Sequence, residues 1–135
     1  MTDGVLVDSN VLLDLLEEDP VWYDWSSTNL QKIADTARLI INPVIYAEIS
    51  VGFQRIEEIE EALPSGTFER HPLPWEAAFL AGKCFLRYRK LGGTRRSPLP
   101  DFFIGSHAAV AGLTLLTRDA SRYRTYFPSL SLIAP

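Results

Sequence analysis

Four carboxylates stand out in the sequence for where they sit. Asp8 ends the apolar run Gly4-Val5-Leu6-Val7, and Glu48 interrupts the apolar stretch from Val44 to Ile49. Asp101 and Asp119 are the only acids between Ala77 and Pro135, a half with 9 bases and a balance of +7. Met1 to Glu76 carries 15 acids and 4 bases, a balance of −11, so the formal net charge of −4 hides a sharp division. Taken singly, each acid has an ordinary reading: Asp101 and Asp119 as salt-bridge partners of nearby arginines, Glu48 as a solvent-facing helix residue. Taken together they have a chemical one. Carboxylates brought close repel one another and their pKa values climb; a divalent cation removes that cost. Oxygen donors without paired His or Cys suit Mg²⁺ or Mn²⁺ rather than zinc. His71 and His107 lack metal-ligand spacing, and Cys84 falls on an apolar helical stripe, so all three read as structural. A bound dication acidifies water and stabilises charge on a phosphoryl oxygen, which makes phosphodiester hydrolysis the natural reaction.

Bringing the four together is the task of the elements around them. Apolar runs predict strands over 4–8, 38–41 and 113–117, a weaker one over 67–70, and a last one over 130–133. Helical periodicity predicts a helix through Val11 and Leu16 capped by Ser9-Asn10, and one over about 26–36 capped by Ser26 or Ser27. Asn42-Pro43 is a cap followed by proline at the first helical position, so a helix should run from 43 to 52. Others follow through Ile56, Ile59 and Leu63, from Pro74 to Leu91, and from Pro100 onward. Strands alternating with helices predict an α/β sandwich around a mainly parallel sheet. In such sheets functional groups gather beyond the carboxyl ends of the strands. Asp8 ends the first strand, Asp119 lies two residues beyond the 113–117 strand, and Asp101 lies in the first turn of the helix before it. The N–H groups of that turn favour an ionised carboxyl. The face of Glu48 is not fixed by the pattern.

The residues also follow a known order. Val7-Asp8-Ser9-Asn10 resembles the opening motif of the PIN-domain nucleases. The Glu48 region, Leu99-Pro100-Asp101-Phe102-Phe103-Ile104-Gly105 and Leu116-Thr117-Arg118-Asp119 resemble the later motifs in sequence. The likeness covers nearly the whole chain, and the length is similar to that of VapC-type toxins of type II toxin–antitoxin pairs. It implies a PIN-like three-layer α/β/α sandwich, Mg²⁺- or Mn²⁺-dependent RNA cleavage, a homodimer, and inhibition by a small VapB-type antitoxin. It further implies that Asp8, Glu48, Asp101 and Asp119 are the metal-binding and catalytic set. Ser9 stands where the family more often has Thr and keeps the hydroxyl. Ser9 and Thr117 are expected to orient ligands or the attacking water, and Asn10 to do the same or to serve only as a helix cap.

The rest of the sequence sets bounds. At 135 residues the chain is expected to form one domain over 1–135. No apolar stretch approaches a membrane span, and no basic region precedes an apolar run at the N-terminus, so no secretory signal or membrane association is expected. One cysteine permits no internal disulfide, which fits a reducing cytoplasm. The basic half predicts polyanion binding, with Arg95, Arg96 and Arg118 the foremost phosphate contacts. Tyr123 and Tyr126 are candidates for stacking unpaired bases, whereas Tyr88 and Phe127 read as core. Two other functions compete: a non-catalytic PIN-like module that binds RNA or protein, and an Asp-based phosphatase. The haloacid-dehalogenase-like phosphatases want a second Asp two residues after the first, and this chain has Asn10.

Overall fold

The computed structural model describes residues 3–135; Met1 and Thr2, part of the N-terminal reading above, lie outside the described residues. The strands are β1 (Gly4–Val7), β2 (Arg38–Ile41), β3 (Glu69–Arg70), β4 (Thr114–Leu116) and β5 (Leu132–Ile133). All pairings are parallel, in the order β3-β2-β1-β4-β5. Parallel strands are covered on both faces, which explains why Val5, Leu6 and Val7 are all buried with no polar alternation.

The chain winds from β1 outward to β3, then returns past β1 to β4 and β5. Right-handed crossovers in two opposite directions require helices on both faces, giving the three-layer α/β/α sandwich. The order also makes the gap between β1 and β4 the point where winding reverses, the usual place for a cleft in such sheets.

The helices are α1 (Ser9–Leu16), α2 (Tyr23–Ala34), α3 (Pro43–Ser50), α4 (Ile56–Ala62), α5 (Trp75–Lys90), α6 (Pro100–Ala111) and α7 (Ser121–Tyr126). Asn42 caps α3 as expected: its side chain accepts the Ile45 N–H at 2.9 Å, with Pro43 at the first helical position. Its amide donates to Nδ1 of buried His107 at 2.9 Å, tying α3 to α6. Gly112, at φ 68, closes α6 in the left-handed conformation that favours glycine. Among the described residues, no helix is long and apolar enough to cross a membrane.

Three local expectations need correction. The N-cap of α1 is Asp8, not Ser9-Asn10, and no side chain caps the helix; both residues are drawn to other partners. Helix α2 starts at Tyr23 because the Asp19 carboxylate accepts the N–H groups of Val21 and Trp22 at 2.8 and 2.9 Å, which nucleates the turn early. Ser26 is then an interior residue, fully buried, and donates to Asp14 Oδ2 at 2.7 Å. Helix α7 was not expected. Its six residues hold too few apolar side chains for visible periodicity, although Ala120, Tyr123 and Phe127 bury one face at a helical spacing.

Candidate active site

Asp8 leaves the sheet where β1 ends. Its N–H donates to Leu116 O at 2.9 Å, so the β1–β4 ladder itself places Asp8 beside Thr117. Asp8 is 3% exposed. Oδ2 accepts the Thr117 hydroxyl at 2.9 Å and the Tyr123 hydroxyl at 2.8 Å. The Asn10 amide approaches the same oxygen at 3.5 Å and donates to Thr117 Oγ1 at 3.1 Å. Asn10 is therefore joined to the Asp8–Thr117 pair and makes no capping bond to α1.

The other carboxylates are joined to Asp8 through shared hydroxyls. Ser9 donates to Glu48 Oε1 at 2.8 Å and lies 3.4 Å from Asp8 Oδ1, which fixes the half-buried Glu48 on the pocket side of α3. Tyr123 lies 3.4 Å from Asp101 Oδ1 while holding Asp8. Asp101 projects from the first turn of α6, where Pro100 starts the helix. Asp119 is exposed at the rim; its N–H donates to Thr117 Oγ1 at 3.2 Å, and its carboxylate accepts Ser121 Oγ at 3.2 Å at the start of α7. The structure thus links Asp8, Glu48 and Asp101 into one hydrogen-bonded cluster and leaves Asp119 exposed beside it.

Electrostatics follow from this crowding. Burial pushes the Asp8 carboxyl up to about 6; the Asp101 and Glu48 charges add to the rise, and the Tyr123 and Thr117 hydroxyls oppose it. Glu48 is raised by burial and by Asp101, against the Ser9 hydrogen bond. Asp101 is raised chiefly by burial and also by Asp119, against the opposing pull of Arg122 and the Tyr123 hydroxyl. The Tyr123 phenol is pushed far above its ordinary range by burial and by the Asp8 and Asp101 charges, so it stays a hydrogen-bond donor.

This donor set fits a hard dication. It offers carboxylate and hydroxyl oxygens with no thiol or imidazole, and among the described residues no Lys or Arg pairs with Asp8 or Glu48. Among the described residues, no three His, Cys, Asp or Glu side chains form a ready-made cage.

The expected cations distribute unevenly. Arg95 and Arg96 are exposed on the loop after α5. Tyr88 anchors that loop: its hydroxyl accepts the N–H groups of Thr94 and Arg95 at 3.3 and 3.4 Å, and a Cβ at Gly93 would strike its ring. Arg118, read from the sequence as a phosphate contact, instead places Nε on buried Asp14 at 2.9 Å, with its guanidinium over Trp22. Its backbone N–H donates to Asn10 Oδ1 at 3.2 Å, so Arg118 braces the Thr117–Asp119 turn against α1 and α2. Tyr123, read as a base-stacking candidate, is 1% exposed and belongs to the pocket. The available signal was the 120, 123, 127 spacing of the missed helix. Phe127 is core, and Tyr88 packs against the core as expected.

The sequence matches the PIN domain family over residues 5–128. No curated protein matches it by sequence. Among solved structures, the fold is similar to VapBC2 from Rickettsia felis bound to a DNA fragment from their promoter, with a TM-score of 0.74 at 20% identity over 98% of both chains. VapBC-1 from nontypeable Haemophilus influenzae gives 0.72 at 18% identity over 97% of each. A toxin–antitoxin complex from Klebsiella pneumoniae gives 0.64 at 18% identity over 96% of this chain and 95% of that one. At these identities the likeness is one of fold. The family match, spanning all four motifs from Asp8 to Asp119 on a sheet wound with its switch point at the carboxylates, makes this chain a member of the PIN domain family.

Proposed function

We propose that the protein is a Mg²⁺- or Mn²⁺-dependent endoribonuclease and the toxin of a VapBC-type toxin–antitoxin pair. The observation that carries this reading is the pocket itself: Asp8, Glu48 and Asp101 are joined by shared hydroxyls at the switch point of the sheet, and the only cation within ion-pair reach, among the described residues, is the half-exposed Arg122. A protein gains nothing in stability from such crowding, so its use is to hold a positive charge from outside. Asp8, Glu48, Asp101 and Asp119 would hold the ion, some directly and some through water. When bound, the ion supplies an acidified water and a counter-charge for the phosphoryl oxygens.

The chain's own groups set the geometry. Thr117 and Tyr123 fix both the orientation and the charge of Asp8, and Ser9 fixes Glu48. Asn10 holds the Thr117 hydroxyl in place. Arg95 and Arg96, on a loop anchored beside Asp101, would hold the RNA backbone through phosphates. The toxin reading adds a VapB-type antitoxin as partner, in keeping with the fold shared with VapBC complexes, and the motif resemblance adds a homodimer.

Incubation of purified protein with total RNA in Mg²⁺ or Mn²⁺ tests the activity. Cleavage is expected with metal and not in EDTA or with Asp101→Asn. Cleavage by Asp101→Asn at the wild-type rate would reject the assignment. Growth arrest on expression, relieved by co-expression of a VapB-type antitoxin if one is encoded beside it, tests the toxin role; unimpaired growth would count against it.

A further inference from the structure

Arg122 faces the carboxylate pocket from α7, with Nη1 3.8 Å from Asp101 Oδ2. Among the described residues, no other Lys or Arg lies within ion-pair reach of Asp8, Glu48, Asp101 or Asp119. Its guanidinium also lies over the Tyr88 ring, 5.8 Å from the centroid, and the side chain is 41% exposed. The contact with Asp101 is therefore loose, and much of the guanidinium remains open to solvent.

A dication entering the pocket changes the balance at this one position. Held by these carboxylates, it would take over compensation of Asp101 with twice the charge and would repel a guanidinium on the same carboxylate. The aromatic face of Tyr88 is neutral and continues to hold the guanidinium plane. The Tyr88 hydroxyl accepts the N–H groups of Thr94 and Arg95, so a guanidinium leaving Asp101 over that ring stays beside the loop that carries Arg95 and Arg96. An RNA phosphate held by that loop would be an anion within its reach.

Building on the metal-nuclease reading, we propose that Arg122 changes partner during loading. It neutralises Asp101 in the metal-free protein and binds an RNA phosphate once the cation is in place. Metal and RNA then favour one another's binding through Arg122, and by linkage the effect runs in both directions. Arg122 acts as a substrate-binding residue that the empty pocket keeps occupied.

The test compares wild type, Arg122→Gln, Arg122→Lys and Arg95→Gln, each confirmed folded by thermal melt. Mn²⁺ affinity without RNA is read from the free Mn²⁺ EPR signal, and binding of single-stranded RNA is read in EDTA. KM is then measured in Mn²⁺. Arg122→Gln is expected to tighten Mn²⁺ binding about two- to fivefold, the range a half-exposed ion pair spans. It should raise KM about tenfold, as for one lost charge-assisted hydrogen bond, yet leave RNA binding in EDTA almost unchanged. Arg122→Lys should restore wild-type Mn²⁺ affinity. Arg95→Gln should weaken RNA binding with and without metal and leave Mn²⁺ affinity alone. Unchanged or weaker Mn²⁺ binding in Arg122→Gln, or equal loss of RNA binding in EDTA and Mn²⁺, would overturn the partner exchange. Either result would leave the nuclease reading standing if wild type still binds Mn²⁺ and cleaves RNA; a wild type that does neither overturns both.

Discussion

A carboxylate buried as deeply as Asp8 works against folding unless something neutralises it. Its pKa rises from an ordinary 3.8 to about 6 in the folded protein, so the folded state holds the proton more tightly than the unfolded chain. Below about pH 4 both states are protonated and the cost is absent; it grows as pH rises from there and is complete above about pH 6. The shift corresponds to roughly 3 kcal/mol of stability given up at neutral pH. Metal-free protein should therefore melt at a higher temperature at pH 5 than at pH 7, with Mg²⁺ reducing the difference. In EDTA at pH 7, Asp8→Asn should raise the Tm while abolishing cleavage; a lower Tm would show that the carboxylate is not under charge stress. The Arg118–Asp14 pair behaves oppositely. Asp14 is 2% exposed and also accepts Ser26 Oγ, so Arg118→Met leaves a buried charge short of its counter-ion. Calorimetry should register a loss of about 1–3 kcal/mol, partly recovered by adding Asp14→Asn.

At the scale of elements, the pocket depends on where segments begin and end. Asn42 sets the start of α3 and so the direction in which Glu48 points. Asn42→Ala removes a cap and the donor to His107, and should cost about 1–2 kcal/mol in chemical denaturation, with weaker metal binding as Glu48 drifts. The loop after α5 depends on the Tyr88 hydroxyl, so Tyr88→Phe should raise KM for RNA several-fold with kcat nearly unchanged; an equal fall in kcat would place Tyr88 in the chemistry instead. Legibility in the sequence followed the same divisions. Asn42-Pro43 and the apolar runs of β1 and β4 write their geometry locally, and with them the strand-end position of Asp8 came directly. Glu48 was placed by family likeness, because what fixes its face is the hydroxyl of Ser9, 39 residues away. Tyr123 and Arg118 depart from what the sequence suggests for a related reason. Each has a side chain that suits RNA, and only the packing of α7 and α2 shows that they are turned to Asp8 and Asp14. The early start of α2 rests on one Asp19 side chain, a signal that periodicity does not contain.

At the scale of the molecule, the charge division of the sequence becomes a division of the fold. The acidic half supplies β1 to β3 and α1 to α4, and the basic half supplies α5 to α7 with the loop between α5 and α6. The carboxylate pocket lies where the halves meet, which would let a polyanion rest on the basic side while its phosphodiester reaches the acids. If Arg95, Arg96 and Arg122 are the principal phosphate contacts, RNA affinity should fall with rising salt at a log–log slope of about −2; a slope near zero would move the RNA elsewhere. The central claim, that these carboxylates exist to hold a divalent cation, is tested most directly by calorimetric titration of Mn²⁺ into metal-free protein. Wild type should bind the ion, and Asp8→Asn and Asp101→Asn should each lose most of that binding while remaining folded. Undiminished Mn²⁺ binding in both variants would contradict the account.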